Sequence, residues 1–174
     1  MNIVLLEPEI PFNTGAIGRT CVATDTALHL IRPYGFILSD RNLKRAGLDY
    51  WEKLRLSEYK NYDDFLVNHP EIDENAPDHP KLWYATTKAE RTYADVSYGP
   101  DDFIMFGKET AGIPEEILVG HKASCIRIPM CSDERSLNLS NAAAVILYEA
   151  LRQNSFPQLE KKGRLHHMEW ESRS

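Results

Sequence analysis

No apolar run in the chain approaches the ~18 residues that a membrane-crossing helix needs, so a membrane protein is not expected. The opening stretch MNIVLLEPEIP has no basic segment and carries glutamates early. It reads as a first strand, not as a secretory signal. Cysteine is scarce: Cys21, Cys125 and Cys131 are an odd number, and no C-x-x-C occurs. That speaks against a disulfide framework or a zinc site and predicts three plain thiols in a reducing cytoplasm. A basic excess is also missing, since 20 Lys and Arg face 26 Asp and Glu for a net charge of −6. The total argues against a simple nucleic-acid binder. The distribution argues differently. Acid gathers in EIDENAPDHP (71–80) and at Asp101 and Asp102, whereas RNLKRAG (41–47) holds three cations and no anion. A basic face on an acidic protein is compatible with that pattern.

Several common signatures fail. Gly15 and Gly18 follow the first strand, but GAIG is not G-x-G-x-x-G. In GKET (107–110) Glu109 takes the place of the Walker Ser or Thr, and Asp102 that of its first glycine. There is no G-x-S-x-G elbow and no internal repeat. The pair His166–His167 lies in a polar tail and reads as solvated, so no metal is expected.

What remains is an ordinary globular composition, 43% hydrophobic and 26% charged, in 174 residues. One domain is expected over 1–156, with 157–174 as an appended tail. Short apolar runs predict strands at Ile3–Leu6, Leu28–Ile31, Leu82–Ala85, Phe103–Phe106 and Cys125–Ile128. Most are continuous rather than alternating, the pattern of a parallel sheet covered on both faces. Helices are predicted from Asn13 or Thr14 towards Asp25, over 40–48, over 62–69 and over 139–153. The fold class is therefore α/β, a mostly parallel sheet flanked by helices. The acidic segment 68–80 holds three prolines and reads as an exposed loop.

In such sheets ligands bind beyond the carboxyl ends of the strands. Three loops qualify, each an apolar strand breaking into Gly, Ser, Asn or Pro. In PEIPFNTGAIGRT (8–20) Asn13 or Thr14 can cap a helix, Gly15 and Gly18 admit a close neighbour, and Arg19 is expected about one turn in, near the anion-friendly end. In FIMFGKETAGIP (103–114) Gly107 can expose backbone groups to a flat ligand, and Glu109 can accept hydrogen bonds. In IPMCSDERSLNLSNAAAVILYEALR (128–152) Asn138 or Ser140 can cap the last helix, yet the polar cluster exceeds what capping requires.

Taken together and in this order, the three loops resemble the three motifs of the SPOUT (SpoU–TrmD) methyltransferases. NTGAIGRT (13–20) is similar to motif one, FGKETAGIP (106–114) to motif two and IPMCSDERSLNLSNAAAVILYEA (128–150) to motif three. NIVLLEPEIPFNTGAIGRTC (2–21) and KRAGLDYW (44–51) further resemble the small 2′-O-methyltransferases of the tRNA wobble nucleotide, position 34, in leucine tRNAs. The resemblance spans about residues 2–155. It implies a deep C-terminal trefoil knot, a homodimer, and S-adenosyl-L-methionine held by the three loops. Its cofactor positions fall on Ala85, Gly107, Ile128 and Ser136, with Glu109, Met130, Leu137 and Asn138 beside them. It assigns Arg19 to the loss of the ribose hydroxyl proton, from its own or the partner subunit. A guanidinium stays charged, so holding a phosphate or orienting the hydroxyl is an open alternative. Arg41, Lys44, Arg45, Arg135 and Arg152 are the candidate phosphate contacts to tRNA. Methylation of another tRNA or rRNA nucleotide, a non-catalytic RNA-binding protein on the same fold, and a nucleotide-binding enzyme without RNA are the competing readings.

Overall fold

The structure is a computed structural model, and it describes residues 1–36, 51–72, 80–132 and 135–170. In chain order the elements are β1 (Asn2–Leu6), α1 (Pro11–Ala23), β2 (Ala27–Ile31), β3 (Leu56–Tyr59), α2 (Tyr62–Asn68), β4 (Leu82–Ala85), β5 (Phe103–Phe106), α3 (Glu115–Leu118), β6 (Cys125–Ile126) and α4 (Leu139–Gln153). Six strands form one sheet in the order β3-β2-β1-β5-β4-β6. Every pairing is parallel, with Ile3 opposite both Leu28 and Ile104.

Continuous apolar strands make sense here because both faces of the sheet are covered. On one face Ile3, Leu5, Leu28, Leu30, Ile104 and Phe106 meet Ile17 and Cys21 of α1 and Ala143, Ile146, Leu147 and Ala150 of α4. On the other face Val4, Leu6, Ile31, Phe103 and Met105 meet Phe65, Ile72, Ile113 and Leu118. Alternate residues of one strand thus feed opposite layers. Truncating Ile104 or Ile146, 0% and 1% exposed, to alanine should cost about 2–5 kcal/mol.

Three expectations need correction. The sheet has a sixth strand, β3, whose Ser57 and Glu58 face solvent at the sheet edge. Its pattern is too short and polar to announce a strand. The last strand stops at Ile126 instead of Ile128. The segment 68–80 is not wholly an exposed loop, because Pro70–Ile72 form a 3-10 turn that buries Ile72. The expected helix over 40–48, with Arg41, Lys44 and Arg45, lies outside the described residues. No helix among the described residues is long and apolar enough to cross a membrane.

Candidate active site at the carboxyl ends of the strands

β1, β4, β5 and β6 all point their carboxyl ends at one region. A cleft of about 420 Å³ opens there, within the ~300–1,000 Å³ typical of small-molecule sites. Its walls come from 85–88 after β4, 106–112 after β5, 126–130 after β6, and 135–146 leading into α4. Of the expected cofactor residues, Ala85, Gly107, Glu109, Ile128, Met130, Ser136 and Leu137 line it. Asn138 does not. It caps α4 instead, its Oδ1 accepting from the backbone N–H of Ser140 at 3.0 Å and Asn141 at 3.3 Å. Arg135, expected to meet RNA, also lines the cleft.

Gly107 is required by a close approach. A Cβ there would lie 2.1 Å from the carbonyl carbon of Gly112. Gly112 itself has φ +71°, a left-handed conformation that glycine adopts without penalty. The loop therefore folds back on β5 and turns its backbone towards the cleft. At Gly18 the close neighbour is the ring of Trp51, 3.1 Å from where a Cβ would lie.

Side chains far apart in sequence bind the loops together. Glu109 Oε2 accepts from the N–H of Glu9 at 2.9 Å, and Oε1 accepts from the N–H of Ile10 at 3.2 Å and from Asn13 Nδ2 at 3.0 Å. Asn138 Nδ2 then donates to Asn13 Oδ1 at 3.0 Å. Asn13, itself buried, thus joins all three motif loops. In the reverse direction Glu9 Oε2 accepts from Thr110 N at 3.0 Å and Thr110 Oγ1 at 2.7 Å. Those bonds hold the Glu9 carboxyl below the usual carboxylate range. Beside them Lys108 Nζ meets Glu7 Oε2 at 2.5 Å, which raises the lysine above its ordinary value.

This arrangement corrects the expected cap. α1 begins at Pro11, with Ile10 as N-cap and no side-chain cap of its own. Glu109, about a hundred residues away, supplies the carboxylate at that helix end instead. Asn13 and Thr14 lie inside the first turn. Arg19 is therefore eight residues past the helix start, just over two turns at about 3.6 residues each, and not one turn in. It is exposed and does not line the cleft of its own chain. Arg152 is exposed as well, and both its Nε and Nη2 donate to Glu149 at 2.8 Å.

Sequence reasoning missed Thr86, Thr87, Lys88 and Arg127, all in the lining. The rule that sites lie beyond strand ends, applied to LWYA (82–85), points to the first three. Lys88 is tied to Glu115 at 2.8 Å. Glu7, Glu9 and Thr110 gave no signal, because their partners are distant in sequence. Cys131 is exposed, while Cys21 and Cys125 are buried. Burial pushes the Cys21 thiol up to about 12, so it stays inert. Among the described residues no group of three or more His, Cys, Asp or Glu could hold a metal.

The cleft suits a small molecule with apolar and polar parts. Ile126, Ile128, Leu139, Ala142 and Ile146 offer an apolar wall, and Thr86, Thr87, Ser136 and the backbone around Gly107 offer hydrogen-bonding groups. Comparison with known proteins narrows that further. The family model described as the SpoU rRNA Methylase family matches residues 1–148. A tRNA (cytidine(34)-2′-O)-methyltransferase of Yersinia pestis is 47% identical over 158 residues, spanning 90% of this chain and 96% of that protein. A solved structure described as giving insights into the 2-OH methylation of C/U34 on tRNA superimposes with a TM-score of 0.78 at 38% identity, covering 88% of this chain and 95% of that one. The SpoU methyltransferase AviRb of Streptomyces viridochromogenes, solved in complex with AdoMet, shares the fold with a TM-score of 0.74 at 22% identity, over 89% of this chain and 60% of that one.

Proposed function

The chain belongs to the SpoU rRNA Methylase family, and from that premise we propose that it transfers a methyl group from S-adenosyl-L-methionine to a ribose 2′-hydroxyl of tRNA, at the wobble nucleotide 34 of leucine tRNAs. The observation that carries this reading is the cleft itself. Loops with the family's second and third motifs, separate in sequence, line about 420 Å³ there, and the first-motif loop is tied to both through Asn13. The relatives similar over nearly their whole length are named for position 34 of tRNA. Residues 1–156 form the methyltransferase domain and 157–174 the tail.

When bound, the donor supplies an electrophilic methyl carbon on a sulfonium. The protein must hold the ribose oxygen near it, at about 3–3.5 Å, and assist loss of the hydroxyl proton. Gly107, Ile128 and Ser136 frame the donor, with Ala85, Glu109, Met130 and Leu137 beside them. Asn138 acts through Asn13 and the helix cap. Arg19 orients the hydroxyl or its neighbouring phosphate and comes from the partner subunit, which is consistent with its place outside its own chain's cleft. Arg135, at the cleft, and Arg41, Lys44, Arg45 and Arg152 contact RNA phosphates.

A homodimer is supported by exposed apolar side chains on the two helices that pack together. Phe12 on α1 is 77% exposed, and Val145 and Tyr148 on α4 are also open. A self-complementary contact would cover them. The C-terminal knot is supported by the path of the chain. β6 lies at the sheet edge, yet the segment after it returns to wall the cleft with 106–112 before α4 packs on α1. The enzyme works in the cytoplasm, where its substrate is.

Methylation of purified tRNA, followed by mapping of the modified ribose, tests the reading. Modification at nucleotide 34 is expected, and Arg19→Ala should abolish it while leaving donor affinity intact. Modification at another nucleotide, or normal turnover in Arg19→Ala, would contradict the corresponding assignment.

A further inference from the structure

We propose that residues 161–170 form a second RNA contact, a basic and aromatic arm that grips the phosphate backbone of the tRNA at a distance from the reacting ribose. The inference rests on the functional reading above and extends it to a part of the chain that the motifs do not reach.

The chain leaves its core at a defined point. After α4 ends, Asn154 Nδ2 donates to the carbonyl of Tyr98 at 3.0 Å, and the N–H of Phe156 donates to the carbonyl of Leu151 at 2.8 Å. Leu159 is the last side chain packed against the core. Every residue from Glu160 to Trp170 is exposed.

The composition of that segment differs from the rest of an acidic protein. From 161 to 170 the sequence is KKGRLHHMEW, with three cations and one carboxylate, Glu169. Elsewhere among the described residues some cations, such as Arg32, Lys108 and Arg152, meet a carboxylate and others, such as Lys60 and Arg127, do not. Lys161, Lys162 and Arg164 make no ion pair among the described residues. Trp170 is 73% exposed, and the rings of His166 and His167 stand 6.3 Å apart. Cations that lack partners, interleaved with flat rings, match a polyanion with stackable bases. On a protein of net charge −6 a local cluster of cations creates a favourable field for phosphate that the total charge does not.

Distance sets what the arm can touch. The cleft lies at the N-terminal end of α4, and the tail departs beyond its C-terminal end. Fifteen residues at about 1.5 Å each separate those ends by roughly 22 Å. Ten extended tail residues reach at most ~36 Å further. The arm leaves the core at the end of α4 remote from the cleft, and its proposed contact is on RNA flanking the loop that carries the reacting nucleotide.

The test compares the full-length protein with a variant carrying Lys161→Gln, Lys162→Gln, Arg164→Gln and Trp170→Ala. Leu159 is kept so that the core is untouched. Fluorescence anisotropy measures binding of intact tRNA and of a short stem-loop around nucleotide 34, each across a salt series, and calorimetry measures S-adenosyl-L-methionine. The variant should bind intact tRNA about tenfold more weakly, with a salt slope shallower by about three. Stem-loop and donor affinities should stay within twofold. Equal tRNA affinity and equal salt slope would overturn the arm. So would loss of subunit association on size exclusion, which would make the tail a contact between copies. Binding does not depend on turnover. If the parent protein binds tRNA without methylating it, the functional reading fails while the arm still stands or falls by its own comparison.

Discussion

Two regions of the molecule are dense in polar side chains, and they behave differently. At the β2–β3 edge a relay, buried at its centre and exposed at Glu71, runs from Asn2 Oδ1 to His29 Nε2 (3.3 Å), from His29 Nδ1 to Tyr59 Oη (2.8 Å), on to His69 Nε2 (2.7 Å), and from His69 Nδ1 to Glu71 (2.7 Å). The rings of Phe65 and Phe103 pack around it. Each polar atom there is spent on a neighbour within the same layer. At the carboxyl ends of the strands the carboxylates of Glu7, Glu9 and Glu109 instead tie separate loops together and leave a cleft between them. Polar density alone therefore does not mark a site. What marks it is a network that holds loops in place while backbone and side-chain groups still face an open volume.

That contrast can be broken from either side. The largest effect is expected from Gly107→Ala, because the new Cβ would meet backbone at Gly112 and not a yielding side chain. Overpacking of that kind costs about 1–3 kcal/mol. Donor binding and methyl transfer should fall by a factor of roughly 100 or more, measured by calorimetry and single-turnover methylation.

Glu109→Ala comes next. It strips the N–H groups of Glu9 and Ile10 and the amide of Asn13 of their acceptor. A loss of about 1–3 kcal/mol in stability is expected, read from the urea midpoint, and Glu109→Gln should recover part of it. Asn13→Ala should lower the urea midpoint in the same direction, since Asn13 relays the brace to Asn138.

The relay at the other edge should respond in stability and not in turnover. Burial, then the neighbouring His69, pushes His29 down from 6.5 to about 4. The unfolded chain therefore binds a proton on acidification before the folded one does. Stability is full above about pH 6.5 and declines as the pH falls towards 4, by about 3 kcal/mol in total. His29→Gln should flatten that part of the pH–stability curve and leave kcat unchanged. The smallest effect is expected at Arg152→Ala. Its bidentate pair with Glu149 holds that carboxyl down to about 2, yet solvent screening of the exposed guanidinium leaves the pair little net effect on stability. Thermal melts should barely move, and any change should be in KM for tRNA.

Much of this was legible in the sequence, for physical reasons. IVLL, LHLI, LWYA and FIMF read as parallel strands because two covered faces leave no place for polar alternation. LSEY did not, because an edge strand exposes Ser57 and Glu58. The loops were legible where glycine, proline and asparagine follow an apolar run. Asn13 and Thr14 look like local caps, but Pro11 sets the helix start and a remote carboxylate does the capping. Misplacing that start by two or three residues also placed Arg19 too close to the helix end. No local pattern could pair Glu9 with Thr110 or Glu109 with Asn13, since about a hundred residues separate each pair.

The central claim is that three loops braced through Asn13 and Glu109 present one methyl donor to one ribose of tRNA. Incubation of the purified protein with methyl-labelled S-adenosyl-L-methionine and leucine tRNA, followed by ribose mapping, tests it most directly. The account predicts label on the 2′-oxygen of nucleotide 34, present with the parent protein and lost with Gly107→Ala. Label on a base, label at another nucleotide, or undiminished transfer by Gly107→Ala would contradict it.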